Sequence, residues 1–129
     1  MILFVGIVAI FTPAKAQTIQ EVIPESIQEM ITRIAVAYGQ NPKTAIAIAK
    51  CEGIAYKTTG NHKNYRKGKL WSTDIGIFQI NNVYHQSDAK KMGLDIMTDR
   101  GNIVYAMWLM KNEGTKPWSA SARCQKKLV

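Results

Sequence analysis

Ser72-Thr73-Asp74-Ile75-Gly76-Ile77-Phe78-Gln79-Ile80-Asn81-Asn82 lies in the middle of the chain and mixes two signals. Its β-branched residues predict a short strand or two. Its polar residues are too dense for a simple core strand. The segment therefore puts a carboxylate, Asp74, close to a glycine and to three side-chain amides. Asn61 and Asn64 just upstream extend this amide-rich neighbourhood. Such groups suit hydroxyl and acetamido partners.

Working outward, residues 56–73 carry Lys57, His62, Lys63, Arg66, Lys67 and Lys69 and read as an exposed basic loop or a small irregular hairpin. Downstream, a weak helix is predicted from Gln86 to Met92, stopped at Gly93. A long helix should then start near Thr98 and end at Gly114. Its run from Ile103 to Met110 is apolar nearly all round, which marks a helix buried at the centre of a domain. A tail through Pro117-Trp118-Ser119-Ala120 leads to Cys124 and a basic end.

Upstream, Ile27, Met30, Ile31, Ile34 and Tyr38 form one apolar stripe at helical spacing. This predicts a helix over 25–38, begun by Pro24 and closed by Gly39, with Glu29 and Arg33 as an i,i+4 pair. A second helix is bounded by Asn41 as N-cap, Pro42 at its first position and Gly53 at its end. Its apolar face runs through Ala45, Ile48 and Ala49 and continues to Glu52. A carboxylate on that side of a last turn loses solvation and meets the negative end of the helix dipole. Both effects favour the protonated form, the condition a general acid needs. The alternative is a helix-end carboxylate turned outward into water.

The run Ile2–Phe11 is about ten apolar residues, short of the ~20 that span a bilayer, and is followed by Ala14-Lys15-Ala16, a small-x-small cleavage pattern. Residues 1–16 read as a signal peptide, despite the missing basic start, and residues 17–129 as one mature domain. An uncleaved membrane anchor is the alternative. With 47% apolar residues in a 129-residue chain, there is material for one core and not two. The charge of +8, about +7 once Lys15 is removed, favours polyanionic partners. For an exported protein these are wall polymers or lipid headgroups; export argues against nucleic acid.

Two cysteines, Cys51 and Cys124, suggest one bridge in an exported domain, with two buried free thiols as the alternative. The only histidines, His62 and His85, do not stand at ligand spacing from a cysteine, so no metal and no cofactor is expected.

Glu52 and Asp74, with the amides and with Trp71, Trp108 and Trp118 as flat apolar surfaces, are the usual equipment for cleaving a glycosidic bond. Ser72–Asn81 also resembles the S-T-D-Y-G-I-L-Q-I-N signature of animal-type lysozymes and the G-[LI]-[MF]-Q-I core of bacterial lytic transglycosylase domains. Ala47-Ile48-Ala49-Lys50-Cys51-Glu52-Gly53 resembles the A-x-A-x-C-E-S run of the same bacterial domains. Asp99-Arg100-Gly101-Asn102-Ile103 and Trp118-Ser119-Ala120-Ser121-Ala122-Arg123-Cys124 resemble the D-x-x-N-I and W-S-A-x-x-x-C ending of small bacterial members. The similarity spans roughly residues 25–124, with the four motifs in the right order.

The resemblance to the lysozyme-like superfamily implies an α+β fold, helices around a buried central helix with a small β region beside a cleft. It implies cleavage of the β-1,4 bond between N-acetylmuramic acid and N-acetylglucosamine in peptidoglycan. Glu52 would protonate the leaving oxygen, as the lysozyme acid does with its raised pKa. Asp74 would be the nucleophile or charge stabiliser. Gln79 and Asn81 would contact sugar, Asn64 would contact substrate or orient Asp74, and Trp118 would wall the site near Glu52. Three departures stand out. Gly53 replaces the usual serine, the two cysteines are far fewer than in animal lysozymes, and a late A-Y-N motif is missing. Tyr105 is either the aromatic of that motif or a core residue.

The expected protein is thus a monomeric muramidase, secreted, periplasmic or wall-associated, bacterial or from phage, acting on glycan strands without stable membrane insertion. Asp74 favours hydrolysis. The alternative is a transglycosylase in which the muramoyl 6-hydroxyl attacks C1 and Asp74 is a turn residue. Rivals from other classes are a non-catalytic glycan-binding protein on the same scaffold and a membrane-active cationic protein.

Overall fold

The computed structural model describes residues 24–53 and 61–129. The predicted leader over 1–16 and the basic Lys57 lie outside the described residues. The fold is α+β: five α-helices, a 3-10 helix and one three-stranded antiparallel sheet among the described residues.

Helix α1 spans Ile27–Ala37 and α2 spans Pro42–Glu52. Ile31, Ile34 and Ala35 of α1 are buried, with Ile27, Met30 and Tyr38 packed partly against the same core. The start of α1 differs from the sequence expectation. Ser26, not Pro24, caps it: the Glu29 amide donates to Ser26 Oγ at 3.2 Å, and Ser26 N donates to Glu29 Oε2 at 2.8 Å. This reciprocal box satisfies two helix-start donors, and it takes Glu29 away from the expected pairing with Arg33. Arg33 instead grips Glu25 with two bonds of 2.8 Å, holding that carboxyl below its ordinary range. The start and end of α2 fall as predicted. Asn41 accepts from Lys43 N at 2.9 Å, and Pro42 occupies the first turn, where no partner for its nitrogen is needed.

The basic stretch is a hairpin. Strand β1 covers His62–Arg66 and β2 covers Lys69–Ile75, joined at Lys67 and Gly68, with an irregularity between Asn64 and Tyr65. Strand β3, Ile80–Asn81, pairs Ile80 with Ile75 and Asn81 with Asp74. Helix α3 begins at Asn82 and ends at Lys91, a turn earlier at its start than expected. The reason is local: Asn81 accepts from Val83 N at 3.1 Å and caps the helix as soon as the strand ends.

Helix α4, Asp99–Glu113, is the centre of the molecule. Nine of its residues are buried, Tyr105 among them at 1% exposure, which places that side chain in the core. Thr98 and Gly114 cap it, as the sequence predicts. The tail is helical: Lys116–Ser121 forms a 3-10 helix and Ala122–Gln125 a short helix, α5. Cys124 of α5 is bonded to Cys51 of α2, with Cα atoms 5.9 Å apart, inside the ~4.4–6.8 Å range of natural bridges.

Asn102 of α4 holds the sheet side to this core. Its amide donates to Ile75 O at 2.8 Å and Ile96 O at 3.0 Å, and its oxygen accepts from Phe78 N at 2.9 Å. The contact requires glycine at Gly76, since a Cβ there would come within 2.7 Å of the Asn102 amide nitrogen.

Candidate active site

A cavity of about 630 Å³ opens between the end of α2, the sheet and the 3-10 helix; Glu52, Asp74, Gln79, Asn81, His85 and Trp118 all line it. The structure therefore brings both carboxylates singled out in the sequence to one cleft. Glu52 is half-buried at the last position of α2 rather than turned out into water. Among the described residues its one side-chain partner is Ser121, whose hydroxyl lies 2.5 Å from Glu52 Oε1.

Asp74 is held by side chains on both neighbouring strands. Asn64 Nδ2 donates to Oδ2 at 2.9 Å, and Asn81 Nδ2 donates to Oδ1 at 2.7 Å. The same two amides donate to Ser72 Oγ at 3.1 and 3.0 Å. The register explains this convergence. Asn64 faces Ser72 on β1, Asn81 faces Asp74 on β3, and alternation along β2 puts Ser72 and Asp74 on one face. Asn64 and Asn81 thus act on Asp74, and the Asn81 oxygen is engaged by Val83 N.

Gln79 has backbone φ of 50°, and its Nε2 donates to Gly76 O at 2.8 Å, tightening the turn between β2 and β3. Trp118 is 3% exposed; its indole donates to Phe78 O at 2.9 Å and its ring meets Phe78 edge-on. It joins the tail to the turn that carries Gln79. Trp71 and Trp108 lie elsewhere. Arg66 stacks 4.4 Å over the Trp71 ring, and Trp108 stacks on Tyr105.

Sequence reasoning missed Ser121, Gln125 and His85. Gln125 Nε2 donates to Ser121 Oγ at 2.8 Å and to Trp118 O at 2.9 Å. The only sequence signal was the small-residue run before Cys124. His85 lines the cleft with Nδ1 3.2 Å from the Tyr105 hydroxyl. Burial holds its imidazole below the ordinary value, opposed by the charges of Glu113 and Asp88. Burial likewise raises the Tyr105 phenol. Unfolded His85 therefore takes up a proton at higher pH than the folded residue does, so its contribution to stability is complete above about 6.5 and is lost as pH falls through the folded value. Thermal midpoints from pH 7 to pH 5 should fall more steeply in the wild type than in His85→Gln. Parallel curves would remove the histidine from this account.

No three side chains of metal-ligating type converge among the described residues, and no helix there is long and apolar enough to cross a membrane. Comparison with known proteins finds no matching family model, no matching curated protein and no matching solved structure.

Proposed function

We propose that this protein is a peptidoglycan-cleaving glycosidase with a lysozyme-like fold, hydrolysing the β-1,4 bond between N-acetylmuramic acid and N-acetylglucosamine. The observation that carries the reading is the convergence of Glu52 and an amide-clamped Asp74 on one cleft. Two carboxylates flanking a bond are what glycoside hydrolysis needs. Glu52 gives its proton to the leaving oxygen as the bond to C1 breaks. Asp74 faces the positive charge that develops at C1, either as nucleophile or by holding the attacking water. The clamp favours this role over a turn residue, because side-chain amides, not backbone amides, occupy its oxygens.

The cleft has room for sugar rings, and the hairpin beside it carries Lys63, Arg66, Lys67 and Lys69, suited to an anionic wall. The bridge fits an oxidising compartment, in keeping with export of residues 17–129 and a periplasmic, secreted or wall-associated place of action. The proposed enzyme works as a monomer on glycan strands and uses no cofactor.

The test is mass spectrometry of the muropeptides released from purified sacculi by the wild type and by Asp74→Asn. Reducing-end muramic acid from the wild type, and a rate loss of about a hundredfold or more in the variant with its fold intact, are expected for a carboxylate acting at C1. Products with 1,6-anhydro ends would replace hydrolysis by internal attack of the 6-hydroxyl. Binding to sacculi without any cleavage would make the protein a glycan-binding one.

A further inference from the structure

We propose that Ser121 and Gln125 are positioning residues that decide which oxygen of Glu52 carries the proton. The proposal rests on the reading of Glu52 as the acid. A serine hydroxyl has one proton to donate, and two acceptors lie near Ser121 Oγ: Glu52 Oε1 at 2.5 Å and Trp118 O at 3.2 Å. The far shorter contact to Glu52 marks it as the acceptor, and Gln125 fixes the serine as the donor. One of its N–H groups donates to Trp118 O at 2.9 Å and supplies that acceptor, while the other donates into Ser121 Oγ at 2.8 Å. Turning the Gln125 amide over would set its oxygen against the Trp118 carbonyl oxygen, two acceptors face to face. The amide is thus oriented: its N–H occupies a lone pair of Ser121 Oγ, which leaves the serine hydroxyl to act as donor to Glu52.

The consequence is an asymmetric carboxyl group. Oε1 accepts from Ser121, whereas Oε2 has no hydrogen-bond partner among the described residues. A proton on Oε1 would compete with the serine proton for the same short contact. The acid's proton therefore resides on Oε2, free to reach the glycosidic oxygen. When it transfers, the C1–O electron pair goes to the leaving oxygen, which becomes a hydroxyl. Glu52 is left as a carboxylate, and the Ser121 O–H bonds to its new charge.

Two further features show why the hydroxyl comes from this part of the chain. A side chain at Gly53, next to Glu52, is excluded by space: a Cβ there would lie 2.7 Å from Ile77 O and 3.0 Å from Ala49 O. And the Cys51–Cys124 bridge ties the residue before Glu52 to one that stands between Ser121 and Gln125.

The experiment compares wild type, Ser121→Ala, Ser121→Thr and Gln125→Leu in the full chain, with kcat and KM measured on soluble glycan-strand oligomers. Loss of a hydrogen bond to a charged group predicts a kcat about tenfold to hundredfold lower in Ser121→Ala, with KM little changed. Threonine should restore most of it, and Gln125→Leu should fall between. Side-chain 13C NMR supplies a readout independent of turnover: the Glu52 Cδ resonance should move in Ser121→Ala while Asp74 Cγ stays. An unchanged kcat and Glu52 resonance in Ser121→Ala would overturn the proposal, as would a threonine variant no better than alanine. If Glu52→Gln is inactive while Ser121→Ala is fully active, only this inference fails. If Glu52→Gln is active, the assignment of the acid itself fails.

Discussion

Glu52→Gln should lower the rate of wall lysis by about a thousandfold or more, with the fold and thermal midpoint nearly unchanged. Glutamine keeps the shape and the oxygen that accepts from Ser121, so the packing at the end of α2 has no reason to move. It cannot deliver a proton, and general acid catalysis contributes ~10²–10⁴. Without a proton, the sugar leaving group must depart as an alkoxide. The measurement is turbidity loss of purified sacculi, with circular dichroism and melting of both proteins alongside. A variant that kept a tenth of the activity would end the assignment, wherever Asp74 stands.

The second large effect is on stability. Replacing both Cys51 and Cys124 by serine should cost roughly 4 kcal/mol, because the bridge closes a loop of 73 residues and the unfolded chain regains that freedom. For a domain of this size the midpoint should fall by about 10–20 °C. Urea unfolding of wild type and double variant reads it directly. A loss below about 1 kcal/mol would mean that α5 is held to α2 by packing alone. Lysis should also drop in the variant below its melting temperature, since the segment carrying Ser121 is no longer pinned beside Glu52.

What was readable in the sequence follows from how local each determinant is. The bounds of α2 were legible because Asn41, Pro42 and Gly53 act within a residue or two of themselves. Burial of α4 was legible because an all-round apolar helix has one place to go. The start of α1 was not, because Pro24 and Ser26 are both start signals and only the Ser26–Glu29 box decides between them. The Arg33–Glu25 pair depends on the direction of the chain before the helix, which spacing does not reveal. Within the site, Glu52 and Asp74 stood out as carboxylates in unusual company. Ser121 did not, since its partner is 69 residues away and serine is ordinary in a tail. The roles of Asn64 and Asn81 needed the strand register, because only pairing puts both amides on Asp74.

The bridge has one more consequence. Every residue of the sheet, of α3 and of α4 lies between Cys51 and Cys124, so the whole cleft is built inside a covalent ring. A single cut at the exposed hairpin tip, between Lys67 and Lys69, would open the ring without dividing the molecule. The two pieces would remain one mass, with Glu52 on the first and Asp74 on the second. A protease cutting at this exposed basic tip leaves both carboxylates tethered through the bridge.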